Sequence, residues 1–338
     1  MNTFAIPNEI KFSENSLEHL ASLSGDKAVL VTGGNSMKKY GFLDKASEFL
    51  KKANIESIII DGVEPNPSVD TVQNGKKRML EFNPDWVIAI GGGSAIDAAK
   101  IMWAFYEHPD LEFEEIIEVG SIPELRNKAK FIAIPSTSGT ASEITAFSVI
   151  TDLEKKIKYP IVSPEIVPDV AIVDPQIPAT MPSHITANTG MDVLAHAVEA
   201  FVSTAATDYT DPLALKAIRL VFDYLPEAVA DGDNLEAREK MHNASTLAGM
   251  AFSNASLGIV HSLAHKIGGE FHVTHGLANA ILLPHVIDFN YQAAENKFKE
   301  IEEYLEVNDL RAEVKKLNKK LDQESENPVK KFLRWLFY

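Results

Sequence analysis

Hydrophobic positions along the chain follow two regimes. In the first half, short continuous apolar runs alternate with segments of helical spacing. KAVLVTGG (27–34) is a strand-like run that stops at glycine, and a helical pattern follows to about Ala53. IESIIIDG (55–62) predicts the next strand, Val69 to Phe82 a helix, DWVIAIGGG (85–93) a strand, and Ser94 onward another helix. KFIAIPSTSG (130–139) predicts a strand with a polar exit, and VAIVDPQI (170–177) a last strand. Continuous rather than alternating apolar strands, separated by helices, imply a parallel sheet covered on both faces. From about Ser183 the period changes. MDVLAHAVEAFVS, PLALKAIRLVFDYLPEAVA and EAREKMHNASTLAGMAFS all carry helical spacing, and strand signals nearly vanish. The expectation is an α/β domain over 1–182 and an all-α domain over 183–338.

Composition narrows the chemistry. The 338 residues hold no cysteine, which excludes disulfides, thiolate metal sites and cysteine nucleophiles. Any metal must be held by His, Asp, Glu or backbone oxygen. A net charge of −16 argues against a nucleic-acid or anionic-membrane surface, since both need clustered cations. The start, MNTFAIPNEIKF, lacks the pattern of a signal peptide, and no apolar run reaches the ~18 residues of a membrane helix. A cytoplasmic protein is expected.

Two strand exits suit a nucleotide. WVIAIGGGSAIDAAK sets glycines between a strand and a helix, with Ser94 as expected N-cap and Asp97 three residues on in a capping-box arrangement. The following helix N-terminus offers N–H groups and partial positive charge to a phosphate. IAIPSTSGTASEIT adds a second polar exit, with Ser136, Thr137, Thr140 and Thr145 among its hydroxyls. Ligands of open α/β sheets bind at the carboxyl ends of strands. The turn is not a G-x-G-x-x-G fingerprint.

The helical half carries a different signal. GIVHSLAHKIGGEFHVTHG (258–276) holds His261, His265, His272 and His275. His261 and His265 are four apart and share a helix face, as do Asp192 and His196 in MDVLAH. An i, i+4 pair lets one rigid helix offer two donors to one ion. One carboxylate with several imidazoles suits Fe²⁺, Zn²⁺, Co²⁺ or Ni²⁺ better than Ca²⁺ or Mg²⁺. His242 and His285 stay unassigned.

Together, GGGSAIDAAK, PSTSGTASEIT, TGMDVLAHAVEAFVS and GIVHSLAHKIGGEFHVTHGLANAILLPHV resemble the iron-containing (group III) alcohol dehydrogenase family, and within it the butanol dehydrogenases. The resemblance runs from the N-terminus to about Leu317. It implies an N-terminal Rossmann-like domain and a helical C-terminal domain, the dehydroquinate synthase-like fold, with the metal in the cleft between. It implies Asp192, His196, His261 and His275 as ligands of Fe²⁺, with Zn²⁺ an alternative. His265 and His272 match histidines that flank the substrate and exchange protons. On the cofactor side it implies Gly92, Gly93, Ser94 and Asp97 at the pyrophosphate, Ser136, Thr137 and Thr140 in the second loop, Lys158 near the nicotinamide ribose, and Asn66 on the adenine side. Relatives that prefer NADH tend to carry an acid where this chain has Gly33. Ser36 and Lys39 could instead receive a 2′-phosphate, so NADP(H) is favoured over NAD(H). The implied activity exchanges hydride between this cofactor and a small aliphatic alcohol or aldehyde, in a homodimer or larger homo-oligomer.

One departure and two alternatives go with this. Relatives continue for several helices where this chain has QESENPVKKFLRWLFY. A metal-dependent lyase of the dehydroquinate synthase type shares the architecture, but it needs basic residues around its acidic substrate. Here Lys266 is the only cation near Asp192 and His261. A binding protein without turnover is the other alternative.

Overall fold

Strands form at the apolar runs, and three more appear where the pattern is weaker. In the computed structural model, which describes residues 3–271 and 273–321, β1 is Glu9–Phe12, β2 Lys27–Gly33, β3 Glu56–Val63, β4 Trp86–Gly91 and β5 Lys130–Pro135. They are followed by β6 (Phe147–Asp152), β7 (Ile157–Val162) and β8 (Val170–Val173). Six strands make one parallel sheet in the order β1-β8-β5-β4-β2-β3, and β6 and β7 pair as an antiparallel hairpin. Helices α1 (Ser36–Lys39), α2 (Phe42–Lys52), α3 (Val69–Phe82) and α4 (Gly93–Glu107) connect the first strands.

Side chains alternate across the sheet and both faces are covered. Val29, Val31, Val87, Ala89 and Phe131 pack into one core with Trp103 and Met79. Leu30, Ile88, Ile90, Ile132 and Ile134 pack into the other with Phe42, Leu43 and Leu20. Strand β2 pairs with β3 on one side and with β4 on the other. The connections leaving the carboxyl ends of β2 and β4 therefore diverge, which is the switch point where open sheets take ligands. Both glycine-containing exits, VTGG and GGGS, lie there.

The chain divides into two compact units. Ala5–Thr137 and Ala141–Thr180 form the α/β unit, while Ser138–Thr140 and the chain from Met181 group with the helical unit. The helical unit holds α5 (Ser183–Val202), α6 (Asp211–Ala230), α7 (Leu235–Ala255), α8 (Ile259–Phe271), α9 (His275–Tyr291), α10 (Glu295–Leu305) and α11 (Leu310–Lys320). Helix α5 is its centre, packed against α6, α7 and α9 and buried along most of its length. Small residues make this possible. A Cβ on Gly190 would lie 2.2 Å from Leu225 Cδ1, so α6 presses directly on α5 there. Among the described residues, no single helix is long and apolar enough to cross a membrane.

Candidate metal centre and nucleotide turn

Three helices of the helical unit bring polar atoms together. Asp192 comes from α5, His261 from the first turn of α8, and His275 from the first residue of α9. Donor atoms of these three residues all lie within 4.8 Å of one another. Asp192 Oδ1 is 3.5 Å from His261 Nε2 and 3.5 Å from His275 Nε2. A tetrahedral ion with bonds of about 2.1 Å separates its donors by about 3.4 Å, so the spacing fits a metal. His196, one turn beyond Asp192, does not join this group. Its ring stacks between Phe252 and His261, each 4.3 Å away between centroids. Its Nδ1 is buried without a hydrogen-bond partner, and burial pushes the ring down to about 3, so the imidazole is neutral.

Electrostatics of the pocket favour a cation. Asp192 and Glu199, both on α5, are 3 % and 4 % exposed. Burial opposes ionisation of Asp192, yet the imidazoles of His196, His275 and His261 hold its carboxyl far below the usual range. Burial likewise opposes a charge on His261, but hydrogen bonding to Asp192 and Glu199 lifts it to about 9. Two buried carboxylates flanking one ring need positive charge, as a proton or as a metal.

Glu199 was not legible as a site residue. Its carboxylate accepts from Val260 N–H at 2.7 Å, and His261 Nδ1 donates to it at 2.6 Å. It thus caps the N-terminus of α8 and fixes the tautomer that leaves His261 Nε2 free to ligate. The available signal was spacing: Glu199 follows His196 by three and lies on the same face of α5. Gly258 makes the approach possible, since a Cβ there would lie 2.8 Å from Glu199 Oε1. Replacing Glu199 by glutamine is expected to weaken metal binding about 10–100-fold, read by competition with a chromophoric chelator. Unchanged affinity would remove Glu199 from the centre.

His265 stands beside the ligands. Its ring stacks on that of His275 at 4.9 Å and lies edge-on to His261 at 6.4 Å. It is exposed. His272 lies outside the described residues. His242 is buried on α7, with its Nδ1 3.0 Å from Ser138 Oγ.

In the α/β unit, the structure corrects the expected capping box. Helix α4 starts at Gly93, one residue early, so Gly92 is the N-cap and has no side chain to offer. Ser94 is already inside the helix, and its Oγ accepts from Asn66 N–H at 3.4 Å. Asp97 turns away from the helix start. Its carboxylate accepts from Val149 N–H at 3.0 Å, on the β6–β7 hairpin.

Most of the remaining nucleotide candidates converge at the switch point. Asn66, in the left-handed region at φ 57°, accepts from Lys158 Nζ at 2.8 Å through its Oδ1. Lys158 thus projects from β7 toward the turn rather than lying in a solvated loop. Ser136 N–H donates to Gly91 O at 2.8 Å, and a Cβ on Gly92 would touch Thr137 Cγ2 at 3.5 Å. The two exits are neighbours. Ser36 and Lys39 are exposed at either end of α1. Thr140 is exposed in the helical-unit group. Thr145 is buried and tied to Lys100, whose Nζ donates to Thr145 O at 2.6 Å and Phe147 O at 2.9 Å. Burial brings Lys100 down to about 8 and Asp97 up to about 6, despite the attraction between them. This buried pair braces α4 from beneath, and sequence pattern alone did not single out Lys100.

Gly33 has a steric role of its own. A Cβ there would lie 2.7 Å from Val63 O, where the register between β2 and β3 shifts.

Comparison with known proteins decides the family. The iron-containing alcohol dehydrogenase profile matches residues 7–175, and the profile of the C-terminal part of the Fe-containing alcohol dehydrogenase family matches 186–333. This chain belongs to the iron-containing alcohol dehydrogenase family. The second match carries the resemblance past Leu317, to residue 333. An NADPH-dependent butanol dehydrogenase of Clostridium saccharobutylicum is 53 % identical over 330 residues, covering 95 % of this chain and 84 % of that protein. A 1-propanol dehydrogenase of Citrobacter freundii is 46 % identical over 290 residues, covering 86 % and 74 %. Among solved structures, an iron-containing alcohol dehydrogenase of Thermococcus thioreducens superposes with a TM-score of 0.89 at 39 % identity, covering 95 % of this chain and 86 % of that one. The dehydrogenase has the expected fold class, a parallel-sheet α/β part and a helical part. It is an oxidoreductase, a metal-dependent alcohol dehydrogenase, and the lyase and binding-protein alternatives give way.

Proposed function

We propose that this dehydrogenase interconverts small aliphatic aldehydes and alcohols, with NADP(H) as favoured cofactor and Fe²⁺, or Zn²⁺, as its metal. The observation that carries the reading is the convergence of Asp192, His261 and His275, with Glu199 behind His261. Asp192, His261 and His275 would hold the ion, and the family resemblance adds His196, which stacks beside them, as the fourth ligand. Bound there, it supplies Lewis-acid polarisation of the substrate oxygen. The protein positions everything else. Glu199 keeps His261 in the ligating tautomer, and the neutral His196 ring backs it at 4.3 Å. His265, exposed beside His275, exchanges the substrate proton with solvent, with His272 as its proposed partner.

For the cofactor, Gly92, Gly93 and Ser94 take the pyrophosphate at the start of α4, with Ser136, Thr137 and Thr140 on the neighbouring exit. Asn66 and Lys158 act on the nucleoside side, linked by their hydrogen bond. Asp97 and Thr145 act from beneath, through Lys100. NADP(H) is supported by the missing acid at Gly33, by Ser36 and Lys39 at the end of β2, and by the relative's NADPH dependence. The apolar flanks of Asp192 and His261 support an aliphatic substrate. A homodimer or larger assembly rests on the family resemblance.

The deciding experiment is anaerobic consumption of NADPH, and separately of NADH, with butyraldehyde, after loading with Fe²⁺ or Zn²⁺. Chelator-sensitive turnover, faster with NADPH, is expected. Faster NADH turnover would overturn the cofactor preference. No turnover by folded, metal-loaded protein would overturn the substrate reading.

A further inference from the structure

Asn279 lies on α9 one turn beyond His275. That is the same i, i+4 spacing that links Asp192 to His196 and His261 to His265. It is fully buried. Its Nδ2 is 2.5 Å from Asp192 Oδ1, 3.2 Å from His261 Nε2 and 3.2 Å from His275 Nε2. These residues are the ones whose donors converge for a cation. One carboxamide nitrogen thus reaches every member of the group.

The other end of the carboxamide shows what sets its orientation. Asn279 Oδ1 is buried and has no hydrogen-bond partner. Leaving a buried amide oxygen unpaired is unfavourable. The side chain is therefore held by the demand of the ligands on its N–H groups, not by satisfaction of its own oxygen. An amide NH₂ is uncharged: it donates to Asp192 Oδ1 and only lies against the ring nitrogens of His261 and His275, so it substitutes incompletely for a cation. A metal bonded to the same atoms at about 2.1 Å leaves no room for the nitrogen.

We propose that Asn279 is a displaceable positioning residue of the metal centre: its NH₂ group, donating to Asp192 and seated between the ring nitrogens of His261 and His275, holds the three converged, and it moves aside as the ion enters. This rests on the metal-site reading above. It gives α9 two tasks, a ligand at its first residue and a placeholder for the ion one turn later.

The test compares melting temperatures of chelator-stripped and Zn²⁺-loaded protein, with zinc content measured per chain. Stripped Asn279→Ala should melt about 3–6 °C below stripped wild type, while the two loaded forms agree within about 1 °C. Stripped Asn279→Asp should fall further, because a carboxylate then faces Asp192, and zinc should restore it to wild type or above. Equal losses in stripped and loaded Asn279→Ala would make the residue merely structural and overturn the proposal. So would a stripped Asn279→Asp as stable as wild type. If Asn279→Ala does not fold in either form, the zinc response of Asn279→Asp decides: recovery supports the proposal, and none overturns it. A wild type that takes up neither Zn²⁺ nor Fe²⁺ would overturn the metal-site reading itself. A wild type that loads normally beside a failed differential overturns the Asn279 proposal alone.

Discussion

Asp192→Ala is expected to lose its metal and to reduce alcohol dehydrogenase turnover by about 10³-fold or more. Asp192 supplies the one carboxylate in the convergent group, and it is 3 % exposed. Its Oδ1 is the common neighbour of His261 and His275, 3.5 Å from each. Without it, two imidazoles and the stacked His196 face a dication with no ligand charge to offset the cost of burying it. Lewis-acid polarisation contributes several kcal/mol to a transition state, and each 1.36 kcal/mol is tenfold in rate. Loss of the ion therefore means about three decades. Asp192→Asn keeps the shape and removes the charge, so it separates electrostatics from packing and should lose metal as well. Metal content after dialysis and NADPH consumption read both effects. Wild-type metal content in Asp192→Asn would show that the charge of Asp192 is not what holds the ion.

The sequence showed this centre unevenly, for physical reasons. Asp192, His261 and His275 were visible because a donor atom needs a particular side chain, and helical spacing puts two such side chains on one face. Period also separated the α/β part from the helical part, because buried parallel strands and helices leave different patterns. Glu199 and Asn279 were not visible. Each acts by touching residues 62 or 87 positions away, and no local pattern records that. Their spacing from His196 and His275 was a hint only once the ligands were placed. The β6–β7 hairpin was missed because its strands, FSVITD and IKYPIV, mix polar and apolar positions, and the charged turn Glu154-Lys155-Lys156 between them masks the strand pattern. The capping box failed because glycine and serine both start helices, and the backbone chose the earlier residue.

Gly276→Ala is expected to damage the same centre without touching a ligand. Alanine is normally the better helix residue, by about 1 kcal/mol over glycine, so propensity alone predicts a gain. Contact geometry predicts the opposite and is the larger effect. A Cβ on Gly276 would lie 2.1 Å from the backbone oxygen of Asn188 and 2.6 Å from its carbonyl carbon. Backbone cannot rotate away as a side chain can, so α9 must withdraw from α5 by about 1 Å to restore ordinary packing. Asn188 is one turn before Asp192 on α5, and His275 is bonded directly to Gly276. The withdrawal therefore opens the 3.5 Å separation between His275 and Asp192. Overpacking of this kind costs about 1–3 kcal/mol, which outweighs the propensity gain. Misplacement by about 1 Å costs about 10²-fold in turnover. Gly276→Ala should thus bind metal more weakly, melt several degrees lower, at about 2–4 °C per kcal/mol, and turn over about 10²-fold more slowly. Isothermal titration with Zn²⁺, thermal melts and NADPH consumption read the three effects. A variant that melts higher and keeps its metal would mean that α9 does not rest on the α5 backbone, and that His275 reaches Asp192 by some other support.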